Sequence, residues 1–232
     1  MAFLSRLRTR ERHSELMDDP VLDQVEHRRA LAALARINRV TNSAGVLWPP
    51  IRELARKLGR TVHLLDVATG CGDVPSELRA RAKQAGVPLE VVACDVSPMA
   101  VAEAGYQLCG GFFIRDALRY RLPIGFDVVT CSLFLHHLED DDAATLLANM
   151  ANAARHLVLV NDLARSRFNY CAVWAACHAL TRSRVVRFDG PASVRSAFTP
   201  TEALALAAQA GLHGAAVRSR FPSRFLLSWE RK

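Results

Sequence analysis

Between residues 62 and 161 five short apolar runs each stop at an acidic, glycine or hydroxyl-bearing turn, and helical patterns separate most of them. The runs are 62–67, 89–94, 111–114, 126–132 and 156–161. Helical stretches are predicted at 74–85, from Ser97-Pro98 onward and at 140–154. Ser is a good N-cap and Pro suits the first helical position, while the three Asp at 140–142 favour a helix N-terminus. Strands this short, alternating with helices, bury themselves only in an open α/β sheet with helices on both faces. After a last helix opened by Thr199-Pro200-Thr201-Glu202, two further strands, 213–219 and 224–229, meet at Pro222. So little chain between them calls for an antiparallel pair. The expectation is a doubly wound, mostly parallel, seven-stranded sheet with a terminal antiparallel strand.

Two stretches fall outside this rhythm. Residues 20–58 read as helical, interrupted at Pro49-Pro50, so 1–59 is expected to form an N-terminal helical cap on a domain of 60–232. Residues 163–198 combine one apolar helix with an Arg-rich, Gly-Pro-containing stretch, and are expected as an inserted lid. At 232 residues, half of them hydrophobic, the chain can bury one sizeable core. No apolar run approaches 18 residues, and the N-terminus lacks the apolar region of a secretory signal, so a cytoplasmic protein is expected. The six cysteines show no C-x-x-C pair and no zinc spacing; they read as reduced core thiols, and no metal is expected. The net charge of +7 rests on 27 Arg and 3 Lys. No basic block interleaved with aromatics accompanies it, so a solvated basic face is expected rather than a nucleic-acid site.

The turn after the first strand reads Asp66-Val67-Ala68-Thr69-Gly70-Cys71-Gly72-Asp73. Gly70 and Gly72 allow a sharp turn and a close approach to a ligand. A dinucleotide fold wants glycine at position 75, where this chain has Pro75, and Asp73 would repel a pyrophosphate. Carboxylates there suit a ligand carrying positive charge. Asp95 ends the second strand, and a single carboxylate can accept both hydroxyls of a ribose. Together with Asp116-Ala117 after the third strand and Ser132-Leu133-Phe134-Leu135-His136-His137 after the fourth, this turn resembles the motifs of the class I S-adenosylmethionine-dependent methyltransferases.

The resemblance covers residues 62–162 and implies S-adenosylmethionine as cofactor, with S-adenosylhomocysteine as product. It assigns cofactor contacts to Asp66, Ala68, Thr69, Gly70, Gly72, Asp73, Asp95, Val96, Asp116, Ala117 and Ser132. Arg39 is a candidate for the cofactor carboxylate.

Methyl transfer from a sulfonium is a displacement in which positioning removes much of the barrier. A hydroxyl acceptor must also lose a proton, and His136 or His137 is the candidate base. Neighbouring residues face different ways, so at most one of the two is expected to meet the acceptor. Phe134, Asn161, Arg165, Tyr170, Trp174 and His178 are candidates for the substrate pocket. The apolar fourth motif lacks the Asn/Asp-Pro-Pro-aromatic pattern of enzymes that methylate nucleic-acid bases. A small-molecule acceptor is expected, first an aromatic or polyketide-like hydroxyl. The alternatives are carbon methylation of a quinone-like ring, RNA methylation, or cofactor binding without transfer.

Overall fold

Strand β1 (Val62–Val67) is the hinge of the sheet: it pairs in parallel with β2 (Leu89–Asp95) on one side and with β4 (Phe126–Ser132) on the other. β3 (Gly111–Ile114) adds to β2 and β5 (Ala154–Leu163) to β4, both parallel. The last strand, β7 (Arg224–Glu230), runs antiparallel between β5 and β6 (Ala216–Arg220), giving the order β3-β2-β1-β4-β5-β7-β6. The computed structural model describes residues 6–13, 15–18, 21–23, 25–26, 29–30, 32–33, 36–37, 41–108 and 111–232. The strand order reverses between β1 and β4, and ligands of such sheets bind outside the carboxyl ends at that point.

Side-chain alternation sorts the core into two layers. Leu64, Val128, Leu157, Leu159 and Leu226 meet helices α1 (Ser43–Leu58) and α2 (Asp73–Gln84) on one face. α3 (Pro98–Leu108) covers β2 and β3 on the same side, where Ala104 packs on Ala93. Leu65, Val129, Val158, Phe225 and Leu227 meet α4 (Asp140–Ala153) and α7 (Pro200–Gln209) on the other. The N-terminus of α7 carries a full capping box between Thr199 and Glu202. Among the described residues no helix is long and apolar enough to cross a membrane.

Three expectations need correction. Pro49 and Pro50 lie inside α1 and do not interrupt it. The missing N–H groups cost local hydrogen bonds, but Val46, Leu47, Trp48, Ile51 and Ala55 are all buried, and that packing outweighs the loss. The same burial makes α1 part of the sheet's own helical layer, so the boundary expected at 59/60 falls inside the domain. The Arg-rich Gly-Pro stretch is a helix too. Residues 163–198 contain α5 (Arg167–Leu180) and α6 (Arg184–Ser196), capped by the hydroxyls of Ser166 and Ser183. Gly190 is required within α6, because a Cβ there would stand 2.5 Å from Cys177 Sγ on α5.

Candidate active site

At the carboxyl end of β1 the chain turns through left-handed conformations at Ala68 (φ 54°), Gly70 (φ 55°) and Gly72 (φ 76°). The turn points the Gly70 N–H at Asp95 Oδ2, 2.9 Å away, while Asp95 Oδ1 accepts from the Ser97 N–H at 2.9 Å. Asp95 thereby ties the glycine turn to the end of β2. Each of its oxygens keeps acceptor capacity for a ligand. Asp116 Oδ1 accepts from the N–H groups of Leu118 and Arg119 at 2.9 and 3.1 Å, which fixes the turn after β3. Beneath the turn, Asp66 Oδ1 accepts from Thr130 Oγ1 at 2.6 Å. Burial pushes the Asp66 carboxyl up to about 7, with Asp73 and Asp95 adding repulsion against the Thr130 bond.

These groups open on a cavity of about 520 Å³, within the range of small-molecule sites. Ala68, Thr69, Gly70, Asp73, Val96, Ala117 and Ser132 also line it. Gly72 does not, and acts instead as the left-handed N-cap of α2. Arg39 lies outside the described residues. A cation missed by the sequence reading, Arg224, lines the cavity from the start of β7. It donates to Thr41 Oγ1 at 2.6 Å and to the Ser43 hydroxyl. Burial lowers its pKa to about 10, against the pull of Asp162 and Asp73, so it stays charged at neutral pH.

The other end of the cavity is built by the short turn Leu135–His137 after β4, entered through Leu133 at φ 56°. Ala68, Leu133 and Ser223, all non-glycine residues in the left-handed region, border this one cavity; such strain concentrates at functional sites. The turn sets the His136 and His137 rings side by side, centroids 4.3 Å apart. Both line the cavity. His136 is buried; its Nδ1 lies 2.6 Å from Asp162 Oδ1, and its N–H donates to Asp162 Oδ2 at 3.1 Å. Glu15, on the N-terminal segment, stands 3.7 Å from His136 Nε2 and 3.9 Å from His137 Nε2, and accepts from the Ser193 hydroxyl. Burial disfavours the His136 imidazolium, but Asp162 and Glu15 outweigh it and raise the pKa to about 10. The partners move the opposite way: burial favours the neutral acids, and the imidazoles still hold both carboxyls below their usual range.

Asp162 and Glu15 are the functional groups that sequence reasoning missed. Asn161 was the expected substrate contact on β5, yet it is fully buried and pairs across the sheet with Ser132, its Nδ2 3.5 Å from Ser132 Oγ. Strand parity sends the next side chain, Asp162, to His136. Phe134 lines the cavity.

The α5 candidates lie elsewhere. Trp174 is half exposed and stacks on His178 at 4.3 Å, and neither these nor Tyr170 lines the cavity. The inner face of α5 is Ala172, Val173, Ala176 and Cys177, facing Val186, Asp189, Gly190 and Ser193 of α6. Arg165 is buried away from the cavity, bidentate on Glu202 at 2.9 and 2.6 Å and bonded to the Ala197 carbonyl at 2.7 Å. Cys131 is buried in β4, its thiol pushed well above the usual range by burial, which disposes of a nucleophilic role.

Residues 64–156, which contain the glycine turn, Asp95, Asp116 and both histidines, match the family model described as a methyltransferase domain. This segment is thus similar to the methyltransferase domains that use S-adenosylmethionine. Solved structures share its fold. An O-methyltransferase family protein from Burkholderia thailandensis is 16% identical with a TM-score of 0.63, over 98% of this chain and 66% of that one. The magnesium protoporphyrin IX methyltransferase of Synechocystis, with bound S-adenosylhomocysteine, is 14% identical with a TM-score of 0.52, over 100% and 95%. An O-methyltransferase of neocarzinostatin biosynthesis, in complex with S-adenosylhomocysteine and 1,4-dihydroxy-2-naphthoic acid, is 21% identical with a TM-score of 0.51, over 72% and 48%. Of three further matching structures the chain spans only 46–60% of the length. No curated protein sequence matches it.

Asp66 gives the methyltransferase domain a pH signature. Its folded pKa of about 7 lies above the ordinary 3.8, so ionisation costs the folded state stability progressively as pH rises between those values. Asp66→Asn, which can still accept from Thr130, is expected to melt above the wild type at pH 8 and close to it at pH 4. A cationic ligand favours the ionised form, so S-adenosylmethionine binding near pH 6.5 should release a fraction of a proton that Asp66→Asn does not. Calorimetry in buffers of different ionisation enthalpy measures it. Equal proton release by both proteins would refute the assignment.

Proposed function

We propose that this domain transfers the methyl group of S-adenosylmethionine to the hydroxyl oxygen of a small aromatic or polyketide-like molecule. The observation that carries the reading is the continuity of one cavity, from the carboxylates at Asp95 and Asp66 to the paired imidazoles of His136 and His137. In this reading Asp95 accepts the ribose hydroxyls and Asp116-Ala117 borders the adenine. Asp73 and Asp66 face the ammonium and sulfonium charges, and Arg224 takes the carboxylate. The methyl then points toward the histidines. Apolar groups around them, among them Met17, Phe134, Leu163, Val173 and Val186, suit a flat, lipophilic acceptor and exclude water.

The displacement forms a carbon–oxygen bond as the sulfonium–carbon bond breaks, and the hydroxyl proton must leave. His136, oriented by Asp162 through Nδ1, presents Nε2 on the acceptor side, and with its pKa raised to about 10 it can take that proton only after giving up its own. The neocarzinostatin O-methyltransferase, bound to a dihydroxynaphthoic acid, supports an aromatic hydroxyl as the acceptor class.

The test is incubation with methyl-labelled cofactor and a panel of phenols and hydroxylated polyketides. A labelled methyl ether is expected. Label on ring carbon would move the assignment to carbon methylation. Bound S-adenosylhomocysteine without any labelled product would leave a binding protein. RNA should acquire no label, and RNA binding to the basic face should be weak and steeply lost with salt. Tight, sequence-selective RNA binding at physiological salt would overturn the small-molecule reading.

A further inference from the structure

We infer that Glu15, His136 and His137 form a binding site for one divalent transition-metal ion of the zinc type at the acceptor end of the cavity. Their donor atoms, two imidazole nitrogens and a carboxylate oxygen, all lie within 4.8 Å of one another. Glu15 stands 3.7 Å from one imidazole nitrogen and 3.9 Å from the other. An ion with bonds of about 2.0–2.1 Å sets tetrahedral donors roughly 3.4 Å apart, so the three groups must draw together on binding it, the widest pair by up to roughly 1.4 Å. The short turn Leu135–His137 is what makes this possible, since it lays both rings on one side.

The surroundings fit a metal site in two further ways. Metal-binding imidazoles characteristically donate their other N–H to a carboxylate, which fixes ring and tautomer. Asp162 does this at His136 Nδ1, 2.6 Å away, and leaves Nε2 for the cavity. Two carboxylates, Glu15 and Asp162, also converge on two imidazoles where water barely reaches, with side-chain exposures of 10% and 1%. A dication balances such a cluster. Two nitrogens and one carboxylate suit zinc, iron or cobalt, whereas magnesium and calcium prefer oxygen donors. The expectation of no metal rested on the lack of a spacing motif. Glu15 comes from a distant segment bound to α6 through Asp189 and Ser193, so spacing carries no such signal.

Because the three ligands line the cavity, the remaining coordination position faces the acceptor. This use of the ion rests on the methyltransferase reading. A hydroxyl that coordinates the ion loses its proton to solvent, and His136, its Nε2 on the metal, then acts on that proton through the ion and does not take it directly. The hydroxyl's oxygen lone pair then bonds to the methyl carbon as the carbon–sulfur bond breaks, and the sulfur leaves as the neutral thioether of S-adenosylhomocysteine.

The probe is Co²⁺, titrated into chelator-treated protein and followed by visible absorption, with S-adenosylhomocysteine binding measured by calorimetry on the same samples. One equivalent of Co²⁺ with the bands of a four- or five-coordinate ion is expected, displaced by Zn²⁺. Glu15→Gln and His137→Ala should each weaken Co²⁺ by more than the roughly 10–100-fold that loss of an outer carboxylate partner costs, with S-adenosylhomocysteine binding kept. Absence of those bands, or wild-type Co²⁺ affinity in either variant, overturns the site. Wild-type protein that binds S-adenosylhomocysteine but not Co²⁺ refutes the metal site alone. Uptake of Co²⁺ without S-adenosylhomocysteine binding refutes the methyltransferase reading and leaves the ion site standing.

Discussion

Asp95→Ala should bind S-adenosylhomocysteine about 10- to 100-fold more weakly than the wild type while remaining folded. A hydrogen bond to a charged acceptor contributes about 1.5–3 kcal/mol, and each 1.4 kcal/mol is a factor of ten in affinity. The effect has two sources. The variant loses the acceptor for the ribose hydroxyls, and it also frees the Gly70 N–H, which Asp95 holds at 2.9 Å. Asp95→Asn separates them: it keeps a carbonyl oxygen for the Gly70 or Ser97 N–H but loses the charge and one acceptor, so an intermediate loss is expected. Asp116→Ala should cost less, because Asp116 Oδ1 already accepts from Leu118 and Arg119 and mainly shapes its turn. Calorimetric titration of the three variants gives the ranking. An unchanged affinity in folded Asp95→Ala would remove Asp95 from the cofactor site.

The half of the cavity built by the glycine turn, Asp95 and Asp116 was legible because its groups are local. Each sits at the end of a strand whose apolar run can be read directly, and the parallel order brings those ends to one edge. The helices were harder wherever packing overrides local preference. Pro49 and Pro50 look like a break and are carried inside α1 because Leu47 and Ile51 are fully buried beside them. Gly190-Pro191 looks like a loop and lies in α6, where the glycine admits Cys177.

The half around His136 and His137 depends on long-range contacts that periodicity does not report. On α5 the aromatic spacing Phe168, Trp174, His178 marks a real face, but it is the outer one: Phe168 is 74% exposed. Small residues, Ala172 and Ala176, line the inner face, where room for a ligand matters more than hydrophobic bulk. Arg165 is a candidate for the substrate pocket by sequence, yet it pairs with Glu202, which lies within reach only after α7 folds back beside it. Glu15 and Arg224 come from opposite ends of the chain, and nothing near them in sequence marks either as lining the same cavity.

His136→Ala should cost the protein both stability and turnover, and the two losses can be separated. His136 and Asp162 are each at least nine-tenths buried and face each other at 2.6 Å. Removing the imidazole leaves the Asp162 carboxylate in a dry site, held only by the N–H groups of residues 136 and 163 and by more distant charges. Breaking a buried pair from one side typically destabilises by about 3–5 kcal/mol. His136→Ala/Asp162→Ala removes the stranded charge as well, so the double variant should be more stable than His136→Ala alone, and chemical denaturation reads the difference. Turnover should behave otherwise. A positioned group that handles the acceptor proton is worth roughly 10²–10⁴-fold, and the double variant restores neither the imidazole nor its orientation. It should therefore regain stability and keep S-adenosylhomocysteine affinity while turnover of a hydroxyl acceptor stays at the level of the single variant. Recovery of turnover together with stability would show that the pair only holds the fold, and the proton would then have to leave without His136.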